Sequence, residues 1–215
     1  MRKLYSYFRS SAAYRVRIAL ALKGADYLTV PVHLLRDGGE QHLPAFRALN
    51  PAELVPMLDD DGTLLTQSLA IIEYLDETCP GPALLPADPA GRARVRALAQ
   101  SIACEIHPLN NLRVLAYLRD ELGVSQAARD GWYRHWVEHG LAVVERQLAG
   151  DARTGRFSHG DTPTLADCCL VPQIFNALRF SCRLDGLPTA LRIYEQCMQL
   201  PAFQSAAPER QPDAE

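Results

Sequence analysis

The stretch KLYSYFRSSAAYRVRIALALKG, residues 3–24, changes period in its middle. Lys3–Phe8 alternates side chains as a strand does. Ala12–Lys23 is rich in Ala, Leu, Ile and Arg, with Gly24 placed to end a helix. Between them lies Arg9-Ser-Ser-Ala-Ala-Tyr-Arg15, a strand-to-helix turn that puts two hydroxyls at a helix start. Working outward, Tyr27–Leu34 is rich in β-formers but contains Pro31, which assigns it to a sheet edge. Val55–Asp59 and Thr63–Thr66 flank an Asp-Asp-Gly turn and read as a hairpin. Ser68 then offers an N-cap oxygen to a helix through Leu69–Thr78. The order is βαβ followed by ββα, which requires a mixed sheet with helices packed on it.

The chain changes character near residue 80. Cys79–Pro89 carries Pro80, Pro82, Pro86 and Pro89, and such a stretch continues neither a helix nor a central strand. Beyond it Gly91–Leu122 and Gln126–Ala149 are long helical runs, the first expected to kink at Pro108, followed by Thr164–Phe180 and a shorter helix around Pro188–Leu200. The Thr164-Leu-Ala-Asp167 box marks a helix start. The last dozen residues, with Pro208 and Pro212, read as a loose tail. The expected class is α+β, with an N-terminal α/β domain at 1–82, a linker at 83–89 and an all-α domain at 90–215.

With 215 residues, 48% of them hydrophobic, the chain can bury about 70% of its unfolded surface and needs no metal or disulfide to make a core. A net charge of −3 supplies no broad electrostatic footprint for nucleic acid or an acidic membrane. No signal-peptide core and no run of 18 apolar residues is present. The six cysteines form no CxxC pair and read as small buried hydrophobes of a reducing cytosol. A cytoplasmic protein without membrane or nucleic-acid partners is expected.

GxGxxG, GxxxxGK[ST] and GxSxG motifs are missing, which argues against dinucleotide, P-loop and α/β-hydrolase sites. HWVEH, residues 135–139, matches a zinc-protease pattern, but it sits in an amphipathic run with no recognisable third ligand, and no metal is expected. The Arg9–Arg15 turn is more informative. Unpaired N–H groups and the positive dipole end of a helix favour an anion, and hydroxyls of Ser10 or Ser11 would lower the pKa of a thiol. The turn has no cysteine, so a thiol would have to arrive on a cofactor. The alternative is that both serines only cap the helix. Pro56 at a strand entry suits a cis Val55–Pro56 bond that would turn the Val55 backbone toward an extended peptide. Gln67-Ser68 opens a helix whose N–H groups suit a carboxylate.

Together LYSYFRSS–AAYRVRIAL, the LNPAELVP run at 49–56, QSLAIIEYL at 67–75 and DTPTLADCCLVPQ at 161–173 resemble the zeta class of glutathione transferases, over nearly the whole chain. The resemblance implies a thioredoxin-like first domain, an all-helical second domain and a cytosolic homodimer. It implies reduced glutathione as cofactor, with Ser10, Ser11 and Ala12 at the sulfur, Val55 on the cysteinyl backbone and Gln67 and Ser68 on the γ-glutamyl carboxylate. Gln41 or His42 would meet the glycyl end, and His107 and Asn111 match a further contact region. The family usually has a cysteine after the serine pair where this chain has Ala12, which puts reactions that lean on that thiol in doubt, but not isomerisation.

The reaction implied is cis–trans isomerisation of a maleyl keto acid: thiolate addition, rotation about the resulting single bond, and elimination. A small dicarboxylate keto acid asks for cations. Arg9 beside the thiol site is the first candidate and Arg179 matches a family substrate residue, with Arg15 and Arg113 behind them and a surface salt bridge as their bland alternative. Maleylacetoacetate is favoured as substrate over maleylpyruvate. The competing classes are a transferase conjugating apolar electrophiles and a non-enzymatic module that keeps the fold as a scaffold.

Overall fold

A four-stranded sheet ordered β2-β1-β3-β4 organises the first part of the computed structural model, which describes all residues from Met1 to Glu215. Here β1 is Lys3–Ser6, β2 Leu28–Pro31, β3 Met57–Asp60 and β4 Thr63–Thr66. β1 pairs parallel with β2 and antiparallel with β3, and β3 and β4 form the hairpin. Pro31 lies on edge strand β2, where its missing N–H removes nothing from the ladder's interior. The pleat of β1 sends fully buried Leu4 and Ser6 to one face and Tyr5 to the other, where its ring meets Phe46 of α2 (Pro44–Leu49) at 6.0 Å.

α1 (Ser11–Leu22) packs with α3 (Ser68–Thr78), and Ile18, Leu20, Ile71, Ile72 and Leu75 are wholly buried. α3 starts one residue earlier than the sequence suggests. Its N-cap is Gln67, and Ser68 is already helical.

Two compact units emerge: Met1–Leu84 together with Met198–Glu215, and Leu85–Cys197. The expected loose tail is therefore a correction. α9 (Pro201–Ala206) packs on α1 with Phe203, Ala206 and Ala207 buried, and Tyr14 Oη donates to the Phe203 carbonyl. Pro208 and Pro212 follow this element instead of loosening it, and the apolar residues before them supply the contact.

The second unit is helical: α4 (Pro89–Gln100), α5 (Leu112–Asp120), α6 (Gln126–Ala149), α7 (Leu165–Arg179) and α8 (Pro188–Met198). The run expected as one helix kinked at Pro108 is broken into pieces. A π-turn at Ser101–Ile106 and a 3₁₀ turn at His107–Asn110 follow α4, and Asn111 caps a fresh helix. Proline has no N–H to continue the ladder and its ring crowds the preceding turn. α6 runs close to the π-turn because residue 140 is glycine; a Cβ there would lie 2.4 Å from Ile106 Cγ1. The box at the start of α7 closes around buried Asp167, which accepts from the N–H groups of Thr164 (2.7 Å) and Ser158 (2.8 Å).

Candidate functional site

Ser10 is the N-cap of α1, and its Oγ accepts the Ala13 N–H at 3.2 Å. The capping alternative is thus realised for Ser10 alone, and a hydroxyl that accepts retains its O–H to donate. Its backbone is held on both sides, the Ser10 N–H donating to the Tyr7 carbonyl (2.9 Å) and its carbonyl accepting from Tyr14 (2.8 Å). Ser11 follows as a buried first-turn residue, and Ala12 is half-buried beside it. Arg9 is half-buried with its guanidinium over the Phe8 ring at 4.7 Å, and no carboxylate pairs with it.

The start of α3 is built differently from those of the longer helices α1, α4, α5 and α6. Side chains cap α1, α4, α5 and α6, from Ser10, Asp88, Asn111 and Ser125 respectively. None caps α3, and its N-cap Gln67 sits at φ 69°, ψ 112°, a region costing a non-glycine residue about 1–3 kcal/mol. First-turn N–H groups left without a side-chain acceptor form a seat for an anion. Beneath them buried Arg15 reaches across from α1 and donates to Ser68 Oγ at 3.2 Å. This corrects two readings of Arg15 at once. It is neither a surface ion pair nor exposed to a substrate, because the packing of α1 on α3 buries it.

The Val55–Pro56 peptide is cis. Asn50 shapes the loop before it, its amide donating to the Leu54 carbonyl at 2.7 Å and its Oδ1 accepting from Ala52 N–H. Val55 joins a small apolar cluster with Tyr7, Phe8, Val32 and Phe46, against which Leu34 packs. That cluster gathers the loops carrying Ser10, Val55 and the 34–46 segment, and the Arg15–Ser68 bond ties in α3.

Gln41 is buried, with its amide nitrogen 3.0 Å from His42 Nε2. His42 Nδ1 in turn meets the Glu53 carboxylate, which Arg47 also holds at 2.8 Å. The His42 hydrogen bond, with Arg47 beside it, holds the Glu53 carboxyl below its ordinary range. Sequence reasoning missed Glu53, Arg47 and Asn50. The signal available was an Asn-Pro-x-Glu run just before Val55-Pro56, whose residues organise both neighbouring loops.

The remaining predicted residues lie in the second unit. His107 opens the 3₁₀ turn, half-buried. Asn111 spends its Oδ1 on capping α5, accepting the Arg113 N–H at 3.1 Å. Arg113 is exposed and makes no ion pair, so the salt-bridge alternative does not apply to it either. Arg179 is exposed at the C-terminal end of α7, over the Phe180 ring at 5.1 Å. Phe180 stacks on buried Tyr133 at 3.8 Å, and burial pushes the Tyr133 hydroxyl up. In HWVEH the exposed rings of His135 and His139 lie nearly parallel, 6.1 Å apart, and Glu138 is turned to Arg183 at 2.8 Å. A cleft of about 460 Å³ there is lined by Gly131, Arg134, His135, Glu138, Ser181 and Arg183, none of them a predicted site residue.

Residues 4–83 match the model of the glutathione S-transferase N-terminal domain. A probable maleylacetoacetate isomerase of Vibrio cholerae is 52% identical over 98% of this chain and 97% of its own. Among solved structures, a holo maleylpyruvate isomerase described as a bacterial zeta-class glutathione transferase superposes with a TM-score of 0.96 at 50% identity, over 99% of this chain and 100% of its own. A maleylacetoacetate isomerase of Methylobacterium extorquens, solved with malonate and glutathione bound, gives 0.95 at 44% identity over 99% of both chains. A sheet with a hydroxyl-capped helix start, a cis-proline loop and an uncapped second helix start, in a chain so close to these proteins along its whole length, belongs to the zeta class of glutathione transferases.

Proposed function

We propose that this chain is a glutathione-dependent cis–trans isomerase of maleyl keto acids, with maleylacetoacetate as its substrate. The observation that carries the reading is the gathering, in the first unit, of the Ser10 hydroxyl at the start of α1, the Val55 loop and the uncapped N–H groups of α3. These suit a thiol, an extended peptide backbone and a carboxylate, the three groups of a γ-glutamyl tripeptide.

Bound glutathione supplies a nucleophilic sulfur whose addition and departure leave the activated double bond free to rotate between them. Ser10 donates its O–H toward that sulfur, with Ser11 and the positive end of α1 adding to the stabilisation of the thiolate. The N–H groups after Gln67 and the Ser68 hydroxyl, oriented by Arg15, hold the γ-glutamyl carboxylate. Val55 pairs with the cysteinyl backbone, Gln41 and His42 meet the glycyl end, and His107 and Asn111 follow from the resemblance. Arg9, with no carboxylate of its own, opposes charge that develops on the substrate. Arg179 grips a substrate carboxylate through its planar fork, with Arg113 as a second cation. A homodimer in the cytoplasm completes this reading.

Maleylpyruvate is the second reading, favoured by the 0.96 superposition on a maleylpyruvate isomerase. Turnover of the two keto acids side by side, with and without glutathione, tests both. Glutathione-dependent conversion with the higher kcat/KM for maleylacetoacetate is expected, and the reverse ratio transfers the assignment to maleylpyruvate. Conversion of neither, with glutathione still bound, rejects the isomerase reading; turnover of chlorodinitrobenzene then separates a conjugating transferase from a scaffold.

A further inference from the structure

The segment after α8 reaches the two loops assigned to glutathione. Its first anchor is Arg17 of α1, a wholly buried guanidinium. Arg17 Nε donates to the Ala206 carbonyl at 2.9 Å, and its terminal nitrogens donate to Ser6 Oγ (3.2 Å), the Tyr7 carbonyl (3.4 Å) and the Phe8 carbonyl (3.0 Å). Burial pulls Arg17 down to about 10, so it remains charged at neutral pH. One cation thus ties α9 to the end of β1 and the turn beyond it.

The second anchor is Asp213, whose Oδ2 accepts the Phe8 N–H at 3.0 Å. Phe8 therefore has its carbonyl held by Arg17 and its N–H by Asp213, two residues before Ser10. The third anchor is Glu215, whose Oε1 meets Arg36 Nη2 at 2.9 Å and His33 Nε2 at 3.3 Å. His33 Nδ1 accepts the N–H groups of Leu35 (3.2 Å) and Arg36 (2.8 Å), which fixes the ring within the loop that Glu215 meets. The His33 ring also meets Tyr7 edge-on at 5.0 Å, and the His33 backbone N–H donates to the Glu40 carboxylate at 2.7 Å, next to Gln41.

We propose that Asp213 and Glu215 are positioning residues for the glutathione cradle. Asp213 fixes the turn that presents Ser10 to the thiol, and Glu215 fixes the loop that leads into Gln41 and His42. The inference rests on the reading that these loops hold the thiol and glycyl ends of the tripeptide. Neither residue touches the ligand; each acts through backbone that does.

The experiment measures ionisation of the bound thiol by its ultraviolet thiolate absorbance across pH, together with kcat and the glutathione KM. Asp213→Ala is expected to leave about tenfold less thiolate at neutral pH, because the hydroxyl donor is no longer held against the sulfur. Asp213→Asn, which keeps an oxygen for the Phe8 N–H, restores the profile. Glu215→Ala raises the glutathione KM about three- to fivefold, the scale of a partly exposed ion pair, and leaves the thiol profile alone. If Asp213→Ala does not fold, Asp213→Glu displaces the carboxylate by one methylene and moves the profile the same way.

A folded Asp213 variant that melts earlier but keeps the wild-type profile overturns the role of Asp213. An unchanged glutathione KM in Glu215→Ala overturns that of Glu215. Ser10→Gly run in parallel separates this inference from the reading beneath it. If that variant keeps the wild-type thiol profile, the assignment of Ser10 fails, while the Asp213 result still decides the loop, since Phe8 precedes Ser10, Ser11 and the first N–H groups of α1.

Discussion

Ser10 uses one oxygen twice, accepting the Ala13 N–H while its own proton remains to donate. Replacing it tests the two uses separately. Ser10→Ala loses the cap, worth about 1 kcal/mol, whereas glycine at an N-cap costs only a few tenths. Both lose the donor, and a hydrogen bond to a charged partner is worth about 1.5–3 kcal/mol, or roughly ten- to a hundredfold in turnover. Isomerase activity should therefore fall alike in Ser10→Ala and Ser10→Gly, while only the alanine variant loses appreciable thermal stability. Undiminished turnover in both would hand the thiolate to Ser11 or to the helix N–H groups. For Arg179, whose guanidinium is exposed at the end of α7, the alanine variant should raise the keto-acid KM about tenfold and leave the glutathione KM in place. Equal damage to both constants would mark Arg179 as structural.

Pairings between elements carry their own pH signature. Arg2, just before β1, donates to Asp60 at the end of β3 at 2.8 Å, and Tyr74 of α3 donates to the same oxygen at 3.0 Å. The Arg2 hydrogen bond holds the Asp60 carboxyl below its ordinary range. A depressed carboxyl stabilises the fold fully above its unfolded pKa, about 3.9, and loses that contribution as pH falls through the folded value. Melting temperatures measured from neutral pH into this acid range should fall less steeply for Asp60→Asn than for the wild type, from a lower starting point. Coincident slopes would remove Asp60 from the acid response. Element types were largely legible: periodicity located α1, α3, α6 and α7, the Asp-Asp-Gly turn gave the hairpin, and Pro31 marked the edge. The break at Pro108 was legible as an interruption, but the π-turn before it was not, because it depends on the close approach of Gly140 to Ile106.

Across the whole molecule, the residues easiest to read were those whose chemistry is local. A hydroxyl pair at a helix start and a proline before a strand announce themselves, whereas Gln67 gives no sign of its positive φ, which usually belongs to glycine. Arg15 reads as a substrate cation or a surface ion pair until packing buries it, nothing in the sequence singles out Arg17, and the anchors at Asp213 and Glu215 depend on contacts nearly the length of the chain away. Assembly belongs to this scale too. Leu112, Tyr117 and Leu122 leave apolar surface exposed on and just after α5, which association of two chains would cover. Light scattering should return twice the 23.8 kDa chain mass; a mass of one chain would reject the homodimer.

The unit composed of Met1–Leu84 and Met198–Glu215 is discontinuous in the chain, and this imposes an order on biosynthesis. Its sheet leaves the ribosome first, yet the strand-to-helix turn before Ser10 lacks its outer brace until residues 206–213 have been made. During that interval neither the Ala206 carbonyl nor the Asp213 carboxylate has been made, and the backbone before the proposed thiol site is without both partners. The second unit is translated whole in the meantime. The first unit to appear is thus the last to be completed, and a ribosome stalled before residue 198 displays the sheet and helices without the segment that locks them.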